Sequence, residues 1–120
     1  MSKIETLKRT VATLRTAQGL IAEEGSWIKR EYARDAKHRV VNSREPSACK
    51  FCAVGAIMAA DNTNIAYQAE RWLSAAMDGS ISAINDRRAT KHIHVMMAYD
   101  LAILQAKDAL RRAQRAALKG

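Results

Sequence analysis

Phe51-Cys52-Ala53-Val54-Gly55-Ala56-Ile57-Met58-Ala59-Ala60 runs for ten residues without a charge. A bilayer span needs about 20 apolar residues, so ten cannot cross a membrane. The stretch reads as a helix buried on most sides, the centre of the domain. Pro46-Ser47 before Ala48 suits entry into it, Gly55 and the alanines let neighbours approach closely, and Asp61-Asn62 stop it.

The flanking segments wrap this centre. Ser2 and Glu5 have capping-box spacing, and Ile4, Leu7, Val11, Leu14 and Ile21 then recur at three- and four-residue steps, which predicts an amphipathic helix of about 20 residues ending near Gly25. Charge crowds from Lys29 to Arg39, and His38 to Pro46 is expected to form at most a short hairpin or loop. Thr63 or Asn64 caps a helix whose inner side is Ile65, Ala69, Trp72, Leu73 and Ala76, and which ends at Asp78-Gly79. Ser80 to Ala89 reads as a connector. Thr90 or Asp86 then caps a long last helix, with Ile93, Met96, Met97, Leu101, Leu104 and Leu110 expected inside. The fold class is therefore all-α: one compact domain over residues 1–120 with about four main helices, a core at about 3–106 and a basic helix end at 107–120.

Composition bounds the function. The chain has 120 residues, 48% hydrophobic, with 20 Lys and Arg against 12 Asp and Glu, a net charge of +8. It is too apolar for a disordered tail, and its charge suits either an acidic partner surface or simple solubility. No transmembrane or signal-peptide pattern is present, so a cytoplasmic location without membrane association is expected, with Cys49 and Cys52 as free thiols. Positive charge gathers at the two ends: residues 86–120 hold 8 Lys and Arg against 3 acids, whereas 61–85 hold 1 against 3.

Phe51-Cys52-Ala53-Val54-Gly55-Ala56-Ile57 also resembles a family of small bacterial and bacteriophage proteins known only as a domain of unknown function, with an aromatic-Cys-Ala-Val-Gly-Ala-Leu signature. Ala17, Leu20, Ile21, Gly25 and Trp27 resemble its first helix and Gly-Trp exit, and Ala33-Arg34-Asp35-Ala36 the turn before the motif. Ile84-Asn85-Asp86, Thr90, Val95, Asp100 and Ala102-Ile103 resemble its closing segment. The resemblance spans roughly residues 14–106. Phe51 and Ile84 stand where the family often has tryptophan, and Cys49 lies outside the signature. The resemblance implies a helical domain with a buried Cys helix and an accessory role in phage or mobile-element biology; it implies no reaction.

The candidate chemistry is sparse. Cys49-x-x-Cys52 has the spacing of half a zinc knuckle, but His92 and His94 sit two apart and point about 200° from each other on a helix, so no metal or other cofactor is expected. The same spacing serves thiol redox enzymes, which need surrounding strands, and the sequence predicts none around the motif. Asn85-Asp86 reads first as a capping pair. Its alternative is a small cleft of Cys52, Asn85, Asp86 and Asp100, with Asp100 paired to Arg71, Arg87 or Arg88 if buried. Lys107, Arg111, Arg115 and Lys119, spaced by fours with Arg112 alongside, form a cationic strip for nucleic acid or an acidic protein surface. Ala109, Leu110, Ala113 and Ala117 offer a homodimer contact. The leading expectation is a non-enzymatic accessory protein that binds a macromolecule; a nucleic-acid-binding module and a small enzyme centred on Cys52, Asn85 and Asp86 are the alternatives.

Overall fold

The computed structural model describes residues 1–119. Its elements are α1 (Lys3–Leu20), a 3-10 turn (Glu24–Ser26), β1 (Ala33–Arg34), β2 (Lys50–Phe51), α2 (Ala53–Ala60), α3 (Asn64–Met77), α4 (Ile81–Asp86) and α5 (His92–Lys119). The chain is mostly helical, and α2 lies against α1, α3 and α4. From Phe51 to Ile57 every residue of the uncharged run is buried, and Met58, Ala59 and Ala60 are partly covered.

Local chemistry accounts for most boundaries. Ser2 Oγ accepts from the Glu5 amide at 3.1 Å, which starts α1. Thr63 Oγ1 accepts from Ile65 N at the head of α3, and Asp78 leaves that helix in the left-handed conformation (φ 57°). The entry to α2 differs from expectation. Pro46 and Ser47 lie in a turn after Asn42, and Cys52 is the cap, its Sγ accepting from Gly55 N at 3.3 Å.

The connector after Ser80 contains a helix, α4, capped by Ser80 Oγ. Asp86 ends α4, and Thr90 closes it by donating to Ile84 O at 2.6 Å, so neither caps α5. At α5 the His94 ring instead reaches back to accept from Lys91 N at 3.0 Å, as the second member of a capping box does.

The extended piece is a two-stranded antiparallel pair, Ala33 opposite Phe51 and Arg34 opposite Lys50. Residues 38–46 lie within the loop 35–49 between its strands, joined to β1 through an isolated bridge from Arg34 to Val40. The buried Asp35 closes the turn by accepting from the amides of Lys37 and Arg39 and from Arg39 Nε.

On α5 the core side is Val95, Tyr99, Ala102, Ile103 and Ala106. This corrects the expected buried face: Ile93, Met97, Leu101 and Leu104 are exposed. Small Ala102 and Ala106 let α1 and α3 pack close to α5, which large side chains at those positions would prevent. Gln18 Nε2 joins α1 to α5, donating to Met96 O and to Asp100 Oδ1. Residues 115–119 of α5 are exposed throughout.

Candidate functional site

The polar residues singled out by sequence converge on the N-terminus of α2. Helix starts leave amides without intrahelical partners, and a buried start needs acceptors from elsewhere. Cys52 Sγ supplies one for Gly55. Asn85, at the end of α4 and fully buried, supplies another: its Oδ1 accepts from Ala53 N at 3.0 Å and from Trp27 Nε1 at 2.7 Å. Its Nδ2 donates to Ile28 O at 3.1 Å and to Asp86 Oδ1 at 3.0 Å. One side chain thus ties together the segment after α1, the head of α2 and the tail of α4. Both amide hydrogens and two lone pairs of Asn85 are in use.

The surrounding contacts tighten this clasp. Asp86 Oδ1 also accepts from Arg30 N at 2.8 Å, where Arg30 takes a left-handed φ of 77°. Lys29 Nζ donates to Arg87 O at 2.6 Å and lies 5.5 Å from the centre of the Trp27 ring. The Tyr32 carbonyl accepts from Cys52 N and passes directly over Gly55. A Cβ at Gly55 would clash with Tyr32 O and sit 2.8 Å from its carbonyl carbon, so only glycine fits there. The buried Tyr99 hydroxyl donates to Ala53 O at 2.6 Å, and burial pushes its pKa well above the usual phenol value.

The four residues of the candidate cleft divide. Cys52, Asn85 and Asp86 meet in the clasp. Asp100 lies apart and exposed, accepting from Gln18 rather than pairing with an arginine. Burial raises the Cys52 thiol against the opposing pull of the Gly55 and Val54 amides, and the negative charge of Asp86 adds to the rise. A thiol so placed is a poor source of thiolate. Cys49 is exposed. His92 donates to Ile21 O at 2.6 Å, while His94 serves the start of α5, so the two histidines have separate tasks. Among the described residues no three His, Cys, Asp or Glu side chains come together as a metal site.

The chain belongs to a family of unknown function, DUF6197. The family's model matches residues 5–105. No curated protein and no solved structure matches the chain. The matched region of this DUF6197 member contains the whole clasp, from Trp27 to Asn85 and Tyr99. It stops short of the whole cationic strip, of which Lys107 is half-buried and Arg111, Arg112, Arg115 and Lys119 are exposed. Of these, Arg112 pairs with Asp108 at 2.9 Å. Ala109, Leu110 and Ala113 are half-buried within the chain, and Ala117 is exposed.

Sequence reading missed Trp27 and Tyr99 as partners of the motif. The available signal was chemical: a half-buried indole N–H and a buried phenol each call for an acceptor.

Acid sensitivity follows from two carboxylates. Asp35 is held below the usual carboxylate range, chiefly by the Arg39 amide, against a smaller opposing effect of burial and with help from the Arg39 side chain and the Lys37 amide. At Asp61 burial works upward, but the hydroxyl and amide of Thr63 outweigh it and the net shift is downward. A depressed folded-state pKa stabilises above the unfolded value and loses that contribution as pH falls through the folded one. Glu70, raised by burial, works in the opposite sense. Stability is expected to fall below about pH 4, and Asp35→Asn to flatten that fall, as read by urea midpoints across pH. An unchanged acid limb in Asp35→Asn would contradict this assignment.

Proposed function

We propose that this chain is a small accessory protein, of phage or mobile-element kind, that works in the cytoplasm by binding a macromolecular partner rather than by catalysing a reaction. The observation that carries this reading is the full engagement of the clasp. Cys52 and Asn85 are buried, and the hydrogen-bonding groups of Asn85 serve backbone and side-chain partners within the chain. That leaves little for a small enzyme centred on Cys52, Asn85 and Asp86 to use. The phage or mobile-element setting rests on the sequence resemblance alone.

The contact is the cationic end of α5: Lys107, Arg111, Arg112, Arg115 and Lys119. An acidic protein surface is the first reading. Nucleic acid is the second, favoured by the four-residue spacing of the cations, which lets one helix face follow phosphates. The test is retention of polyglutamate and of duplex and single-stranded 20-mer oligonucleotides on the tethered full chain, over a salt series. Retention of polyglutamate, reduced about tenfold or more in Arg111→Glu/Arg115→Glu, supports the first reading. Retention of the oligonucleotides alone, falling steeply with salt, supports the second. Retention of neither contradicts the proposal.

A further inference from the structure

The outer face of α5 carries more than charge. Ile93, Met97, Leu101 and Leu104 follow at steps of four, four and three, so they share one face, opposite Val95, Tyr99 and Ala102. They are 57%, 60%, 40% and 60% exposed. The stripe is about 17 Å long at the helical rise per residue. Met97 and Leu101 also form one wall of a groove of about 580 Å³, whose opposite wall is Ala76 and Met77 of α3 with Ile84 of α4. A continuous exposed apolar surface of this kind marks an interaction site.

Cations bracket it. Arg87 lines the groove, with Arg88 and Lys91 exposed beside it at the start of α5. At the other end Arg111 and Arg115 continue the line of the stripe, beyond Asp108, which pairs with Arg112 at 2.9 Å. We propose that this face docks an acidic amphipathic helix from another protein, apolar side chains in the groove and carboxylates over the cations at both ends. The proposal rests on the binding role of the α5 end and names the chemistry of its partner.

Charge decides among occupants. A second copy aligned parallel would set Arg111 and Arg115 against themselves. An antiparallel copy centred on the stripe would lay them over the segment from Asp86 to Lys91, which holds three cations against one acid whose carboxylate already accepts from Arg30 N and Asn85 Nδ2, so the sum is again like against like. Nucleic acid gains nothing from the aliphatic stripe, and among the described residues no Phe, Tyr or Trp lines the groove to stack a base, while the ring of His94 is engaged by Lys91 N. A helix bearing carboxylates at its ends and leucine-like residues between them complements both parts.

The test selects displayed, randomised helical peptides of about 20 residues on the full chain. The expected winners carry apolar residues at i, i+3 or i+4 and i+7 with an excess of Asp and Glu. Met97→Asp/Leu104→Asp weakens them about tenfold or more, and Arg111→Glu/Arg115→Glu weakens them and flattens their salt dependence. Both pairs lie on the surface, so melting temperatures should match the wild type. The inference is overturned by the absence of enriched peptides, or by winners that are neutral, basic or indifferent to Met97→Asp/Leu104→Asp. A dimer in sedimentation that this variant disperses, or displacement of the peptides by an equal concentration of oligonucleotide, overturns it as well. Loss in the arginine variant with full binding in the apolar variant defeats the docked helix but leaves the cationic contact standing; loss in neither defeats both.

Discussion

Gly55→Ala is expected to lower the melting temperature by about 12 °C, the counterpart of about 3 kcal/mol in a domain of this size. The added methyl group meets the Tyr32 carbonyl, which is backbone and has no rotamer into which to retreat. That carbonyl is held in place because it accepts from Cys52 N, and the next residues enter the pair between β1 and β2. Relief therefore requires the Tyr32 segment to lift away from α2, breaking the hydrogen bond and exposing Phe51 and Ala33. Circular dichroism melting is the check. Gly19→Ala is the control, since a methyl group there meets nothing within 4 Å and alanine favours the helix. Equal melting temperatures for Gly55→Ala and the wild type would mean that the close approach does not exist in solution.

Asn85→Ala should cost as much or more, about 3–5 kcal/mol, because it strands the buried Ala53 amide together with the half-buried Trp27 indole and Ile28 carbonyl. Trp27 Nε1 and Ala53 N lose their acceptor, and Ile28 O loses a donor. An unpaired buried donor or acceptor costs about 1–3 kcal/mol, and the vacated volume adds to that. Asn85→Asp gives the prediction a sign. It keeps an acceptor for Trp27 and Ala53 but places a buried carboxylate beside Asp86 and the Ile28 carbonyl. Its folded-state pKa must rise, so its deficit relative to the wild type is greatest above the ordinary carboxylate range and shrinks as pH falls through the raised value. Urea denaturation at pH 7 and pH 5 reads both effects. A deficit for Asn85→Ala below about 1 kcal/mol would show that water replaces the side chain readily and that the clasp is not a sealed one.

What the sequence disclosed depended on the range of the interaction. The buried helix was legible because ten uncharged residues have nowhere else to go, and the caps at Ser2 and Thr63 because they act within three residues. The cap at α2 was misplaced at Ser47, since sulfur is a weaker acceptor than a hydroxyl and Cys52 carries no cap signature. The face of α5 was misread for another reason. Two stripes run along that helix, one of large side chains at Ile93, Met97, Leu101 and Leu104, the other of Val95, Tyr99, Ala102 and Ala106. Size favoured the first, while close packing against α1 and α3 selects the second, and that choice is made by neighbours far away in sequence. At the candidate site, Asn85-Asp86 reads as a pair capping the helix that follows, whereas Asn85 serves the head of α2 and Asp86 the Arg30 amide. The amide that Asn85 serves lies 32 residues away and its indole partner 58 residues away, distances that no local pattern encodes. The separation of Asp100 from Cys52 is likewise a matter of tertiary placement.

The motif residues are spent on locking three chain segments together, and the proposed contact is left to the outside of α5. Hydrogen exchange at the Trp27 indole tests this most directly, since its proton sits on Asn85 Oδ1 in the middle of the lock. The proton should exchange as slowly as the best-protected core amides, through global unfolding alone, while the indole of Trp72, which lines a surface groove, exchanges much faster. A Trp27 proton that exchanges on the timescale of Trp72 would mean the lock opens on its own, and the account of this site would fall.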